Sequence, residues 1–167
     1  MDTAYAEQLV RRQDALQAEA SRVIAELDLM GLLARAGHAG QVGSLVSGLM
    51  VWRNIDVCVV SPGLSVDRAW EVMQPIVARR EITRVSFANE SGHLNTSGRP
   101  NDDRHYFVIH YETAAHDDWK IDITFWLTRW PAPATRSRGC VDPPLARKTS
   151  LHSLAQRCVA SIADLPV

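Results

Sequence analysis

No apolar run in this sequence approaches the roughly 20 residues that a helix needs to cross a bilayer, so no membrane-spanning helix is expected. Charge of one sign is also lacking. Eighteen Lys and Arg stand against nineteen Asp and Glu, a net charge of -1. No broad field then draws the chain to nucleic acid or to an anionic membrane, neither of which is an expected partner. Any ligand has to be recognised by a local site. Cysteine is scarce: Cys58, Cys140 and Cys158 are odd in number and form neither a C-x-x-C zinc spacing nor a disulfide framework, so they read as reduced thiols. The first residues, MDTAYAEQLVRRQD, lack the basic-then-apolar order of a secretory signal. Together these absences lead us to expect a cytoplasmic protein. His105, His110 and His116 have no metal-ligand spacing and read as surface or satisfied histidines.

What is present is an ordinary globular composition, 46% hydrophobic and 22% charged over 167 residues, enough to bury one core and too little for two. We expect a single domain covering residues 1–167. In residues 1–36, Leu9, Leu16, Val23, Ile24, Leu27 and Met30 recur at helical spacing, which predicts an amphipathic N-terminal helix with a break at Gly31. Residues 37–130 read as the core. Short strands are predicted at 38–43, 55–60 and 82–87, with a helix capped by Ser65 between the last two. Alternation predicts an antiparallel pair of strands at 104–112 and 119–126. Asn, Ser, Gly and Pro crowd residues 89–103, an expected long exposed loop, and four prolines mark a second loop at 131–149. An amphipathic C-terminal helix is expected at 150–165. Alternating strands and helices point to an α/β (α+β) fold, a small mixed sheet with helices packed on one side.

Three features in this order have a chemical use: a strand ending in Gly43-Ser44, a carboxylate, Asp56, on the next strand, and an isolated carboxylate, Asp122, on a much later one. A glycine at the turn lets backbone approach a polyphosphate, and the serine after it offers a hydroxyl and an N–H to a phosphate oxygen. Asp56 and Asp122 are hard oxygen ligands of the kind Mg²⁺ takes, one or two carboxylates with water and substrate phosphates completing the shell.

The arrangement resembles the nucleotidyltransferase superfamily related to DNA polymerase β. That family's signature is an apolar residue, Gly, then Gly or Ser, a spacer of about nine to thirteen residues, and two carboxylates separated by an apolar residue. Here Val42-Gly43-Ser44 is followed by the nine residues 45–53 and then by Asn54-Ile55-Asp56-Val57, with Gly48 at a second family glycine position. Lys120-Ile121-Asp122-Ile123 is similar to the family's third-carboxylate strand. Small and antibiotic-modifying members are the branches it looks most like. The resemblance implies a nucleoside triphosphate substrate, Mg²⁺ or Mn²⁺ held by Asp56, Asp122 and Asn54, and phosphates held by Gly43, Ser44 and Arg53. It further implies transfer of a nucleotidyl group to an unidentified hydroxyl acceptor, with Asp56 and Asp122 catalytic and Asp122 the candidate base. Asn54 departs from the pattern, since it stands where the family has its first metal-binding carboxylate. Ser47 stands where small members often carry an arginine, a phosphate contact that Arg53 is positioned in sequence to replace.

Other readings compete. Gly43-Ser44 alone is an ordinary turn. Asp56 alone is a buried carboxylate in an ion pair with Arg53 or Lys120, and Asp122 alone is a solvent-facing strand residue. As a whole, the chain is then a nucleotidyltransferase-fold binding or regulatory protein that has lost turnover through Asn54, or an unrelated α/β domain.

Overall fold

A computed structural model describes residues 3–99 and 101–128. The order of elements is α1 (Thr3–Glu26), α2 (Leu29–Leu33), β1 (His38–Val42), α3 (Ser44–Ser47), β2 (Asn54–Val60), α4 (Val66–Val77), β3 (Ile82–Glu90), a 3-10 turn (Gly92–Leu94), β4 (Arg104–Glu112) and β5 (Asp118–Trp126). The loop expected at 131–149 and the helix expected at 150–165 lie outside the described residues. No described helix is long and apolar enough to cross a membrane.

The strands form one mixed sheet in the order β1-β2-β5-β4-β3. The β2–β5 pair is parallel, and the β1–β2, β4–β5 and β3–β4 pairs are antiparallel. This is the mixed sheet with helices that the sequence led us to expect, including the antiparallel β4–β5 pair. Period-two alternation decides what each face does. Ile55, Val57 and Val59 of β2, Phe107 and Ile109 of β4, and Trp119, Ile121, Ile123 and Phe125 of β5 are all buried. They pack with Leu16, Ala20, Val23 and Leu27 of α1, Leu29 and Leu33 of α2, and Val72, Met73 and Ile76 of α4. The alternate residues, among them Asn54, Asp56, Lys120 and Asp122, belong to the opposite face.

Local chemistry accounts for several boundaries. The Ser65 hydroxyl accepts the Arg68 backbone N–H at 3.2 Å, the cap expected for α4. The first helix breaks at Asp28, not at Gly31. Asp28 takes a left-handed conformation, φ 48°, and Gly31 lies inside α2, where a Cβ would come within 2.5 Å of the Asp28 carboxylate. A short helix, α3, occupies Ser44–Ser47, directly after Gly43. β3 runs three residues further than the strand expected at 82–87, because Ala88, Asn89 and Glu90 keep pairing with Tyr106, His105 and Arg104. The loop is shortened accordingly, and Asn95 donates to Asp103 at 2.8 Å across it. His105 is buried, with Nε2 bonded to the Leu64 carbonyl at 3.1 Å. Burial holds its imidazole below the ordinary histidine value. Cys58 is disulfide-bonded, which differs from the reduced thiol expected at that residue.

Trp119 ties the layers together. It is fully buried, and its indole N–H donates to Glu19 of α1 at 2.8 Å. Trp119→Ala is expected to cost about 3–5 kcal/mol in urea unfolding, whereas Trp52→Ala, at a residue 69% exposed, should stay within about 0.5 kcal/mol. Equal losses at the two positions would contradict this account of the core.

Candidate functional site

The parallel register of β2 and β5 sets Asn54 beside Lys120 and Asp56 beside Asp122. Register partners on parallel strands share a face and lie about 4.8 Å apart along the ladder. The two carboxylates are therefore neighbours on the face opposite α1, α2 and α4. β1 completes the arrangement: Val42 pairs with Asp56, so Gly43, the next residue, passes directly over the Asp56 side chain. Gly43 has φ 71° and ψ -146°, a conformation that essentially only glycine adopts, and a Cβ there would lie 2.5 Å from Asp56 Oδ2. Two constraints, backbone shape and close approach, thus require glycine at this turn.

The turn closes through Ser47 N–H to Gly43 carbonyl and Leu49 N–H to Ser44 carbonyl, both 3.1 Å, and α1 braces it through Gln17 Nε2 to the Leu45 carbonyl at 3.0 Å. Gly48, at φ 70°, ends α3. The Ser44 hydroxyl has no hydrogen-bond partner among the described residues.

Each carboxylate has its own donors. Asn54 Nδ2 donates to Asp56 Oδ2 at 3.0 Å. Tyr106 donates its hydroxyl to Asp122 Oδ1 at 2.5 Å, and Lys120 Nζ donates to Asp122 Oδ2 at 2.7 Å. Burial and then the Asp122 charge push the Asp56 carboxyl above its ordinary value, against the Asn54 hydrogen bond and the Lys120 charge, which lower it. Burial and the Asp122 hydrogen bond push the Tyr106 hydroxyl up, which keeps it a donor.

Of the residues singled out from sequence, Gly43, Ser44, Asn54, Asp56 and Asp122 come together at this site. Arg53 does not join them. Its guanidinium bonds Glu19 at 3.1 Å and 3.3 Å and Asp117 at 3.0 Å, and no hydrogen bond or ion pair links it to the carboxylate pair or to the Gly43 turn. Burial pushes the Glu19 carboxyl up, but hydrogen bonds from Arg53 and Trp119 hold it below the ordinary value. Lys120 pairs with Asp122 instead of hydrogen bonding to Asp56. Tyr106 was not singled out from sequence, because its reach to Asp122 depends on the β4–β5 register, in which Val108 is the residue directly opposite. Two cavities, of about 490 and 420 Å³, lie elsewhere: the first beside Arg12, Trp52 and Arg53, the second beside Arg35, Ser61 and Arg68.

Chemically, two carboxylates on one face, with Asp56 Oδ1 left without a hydrogen-bond partner, suit one divalent cation. Among the described residues, no group of three or more His, Cys, Asp or Glu is placed to hold a metal ion. The patch therefore offers two carboxylates, with Asn54 beside them as a neutral donor to Asp56.

No family model matches the chain, and no curated protein matches it. Among solved structures, the chain is similar to one described as a cytoplasmic RNA terminal U-transferase, with 18% sequence identity and a TM-score of 0.41. The match covers 71% of this chain and 36% of that one, so this chain spans little more than a third of the other's length.

Two outcomes follow from the geometry. Gly43→Ala should lose about 1–3 kcal/mol by chemical unfolding, while Gly40→Ala, where a Cβ meets nothing within 4 Å, should be neutral or slightly stabilising. Similar losses at both would show that the turn is not constrained as described. The raised Asp56 value also has a sign. The folded state holds that proton to higher pH than the unfolded chain, so stability falls as pH rises from 3.8 through the folded value, and the penalty is full above it. Asp56→Asn should therefore melt above wild type at pH 7, with the difference closing toward pH 3.8 and below; parallel melting curves across that range would refute it.

Proposed function

We propose that the sheet face carrying Asp56 and Asp122 binds a nucleoside triphosphate together with one Mg²⁺ or Mn²⁺, and that the domain transfers the nucleotidyl group to a hydroxyl acceptor. The observation that carries this reading is the pairing of Asp56 with Asp122 in parallel register, directly beneath the obligate Gly43 turn. Asp56 and Asp122 would hold the ion, whose chemistry is to offset charge on the phosphates as the phosphorus is attacked. Gly43, by lacking a side chain, lets the phosphates approach the backbone, and Ser44 presents a free hydroxyl to them. Asp122 is the candidate base: the acceptor hydroxyl gives it a proton, the acceptor oxygen bonds the α-phosphorus, and the bond from that phosphorus to pyrophosphate breaks. Tyr106 orients Asp122 for this by fixing Oδ1.

A second reading, binding without turnover, is favoured by one specific observation. Asn54 puts a donor on Asp56 at the position where the superfamily resemblance calls for another acceptor. A nucleotide-binding regulatory domain needs only the turn and one weakly held ion.

Calorimetry with ATP, GTP, CTP and UTP in Mg²⁺ or Mn²⁺ tests both. We expect binding of at least one of the four, weakened about tenfold or more by Asp56→Asn, an effect of roughly 1.4 kcal/mol. No binding at millimolar nucleotide would remove both readings. Turnover separates them: pyrophosphate release by the wild type from a bound nucleotide and a hydroxyl acceptor marks the transferase, whereas a wild type without turnover that gains divalent-ion affinity or turnover only as Asn54→Asp marks the binding domain.

A further inference from the structure

Lys120 has no place in the function just described, yet it makes a 2.7 Å contact with Asp122 Oδ2. Its register partner is Asn54, so Asn54, Asp56, Lys120 and Asp122 form the corners of one patch on two neighbouring strands. Formal charges there are two negative and one positive. With Tyr106 on Oδ1 and Lys120 on Oδ2, both oxygens of Asp122 are engaged, and Asp122 is only 8% exposed. Lys120 differs from Tyr106 in kind. Its side chain is 46% exposed on a long flexible stem, so it can leave Asp122 and be solvated, at little more than the cost of one partly exposed ion pair.

We propose that Lys120 is a displaceable internal cation that competes with a divalent metal ion for Asp122 and so sets the affinity of the site. The proposal rests on the metal reading above and deepens it. An ammonium and a metal ion cannot both bond Oδ2 at close range without repelling one another, and that repulsion is large where the carboxylate is mostly buried. The ion therefore enters only as Lys120 departs. Asn54 makes the competition effective, because the patch lacks the further negative charge that would hold both cations.

Mn²⁺ alone is the probe, its binding to the full chain followed by electron paramagnetic resonance at low ionic strength, where screening is weakest. Lys120→Met should bind Mn²⁺ about tenfold more tightly than wild type. Lys120→Arg keeps the charge and should stay close to wild type. Unchanged or weaker Mn²⁺ binding by Lys120→Met, while wild type or Asn54→Asp binds the ion, would overturn the competition and leave the metal reading standing. A gain in Lys120→Arg equal to that of Lys120→Met would also overturn it, since charge would not be the cause. If wild type, Lys120→Met and Asn54→Asp all fail to bind Mn²⁺ at millimolar concentration, the metal reading falls and this inference with it.

Discussion

Like charges set side by side in a partly buried place repel, and the pairing of Asp56 with Asp122 imposes that problem on the whole face of the sheet. The side chains around the pair answer it. Asn54 donates to one carboxylate, Tyr106 and Lys120 donate to the other, and Gly43 gives up its side chain so that the backbone can cross above. Burial first and the Asp122 charge second still push Asp56 above its ordinary value, against the Asn54 hydrogen bond and the Lys120 charge. A sheet that needed these residues only for stability would do better with apolar or neutral ones, because partnered buried charges are seldom a net gain over well-packed replacements.

The rest of the architecture keeps the pair in register. β2 and β5 are inner strands, each hydrogen-bonded on both sides, and their opposite faces are locked into the helices by Ile55, Val57, Ile121 and Ile123. A slip of one residue in either strand would move its carboxylate into the apolar layer and its isoleucines out of it. Hydrophobic burial thus fixes the position of charged groups that make no contribution to the core themselves. Glu19 adds a polar tie between layers, bonding Arg53 and Trp119 together, and this accounts for the placement of Arg53 away from the turn.

Much of this was legible in the sequence. Alternation in β4 and β5 gave those strands almost to the residue, and Ser65 marked the start of α4. Asp56 and Asp122 stood out because a carboxylate amid β-branched residues has to be explained. The residues that were not legible depend on register or on tertiary partners. Nothing local says that Tyr106 reaches Asp122 diagonally across the β4–β5 ladder, or that Lys120 lies beside Asn54. Arg53 looked well placed by its nearness to Asn54 in sequence, but an arginine side chain goes to the best carboxylates within reach, and Glu19 and Asp117 are nearer partners than the Gly43 turn. Asp28 ended the first helix because it, not Gly31, took the left-handed conformation.

The same charge arithmetic that strains the pair also bears on what the site can hold. A third carboxylate at position 54 would add repulsion that only cations could relieve, and a patch so built would depend on metal for its own integrity. With Asn54 in place, the amide relieves part of the repulsion internally, and Lys120 relieves more. The patch therefore carries its own partial charge balance in Asn54 and Lys120. Under the proposed metal reading, stability of the patch and strength of ion binding would be opposed through the same two side chains, Asn54 and Lys120.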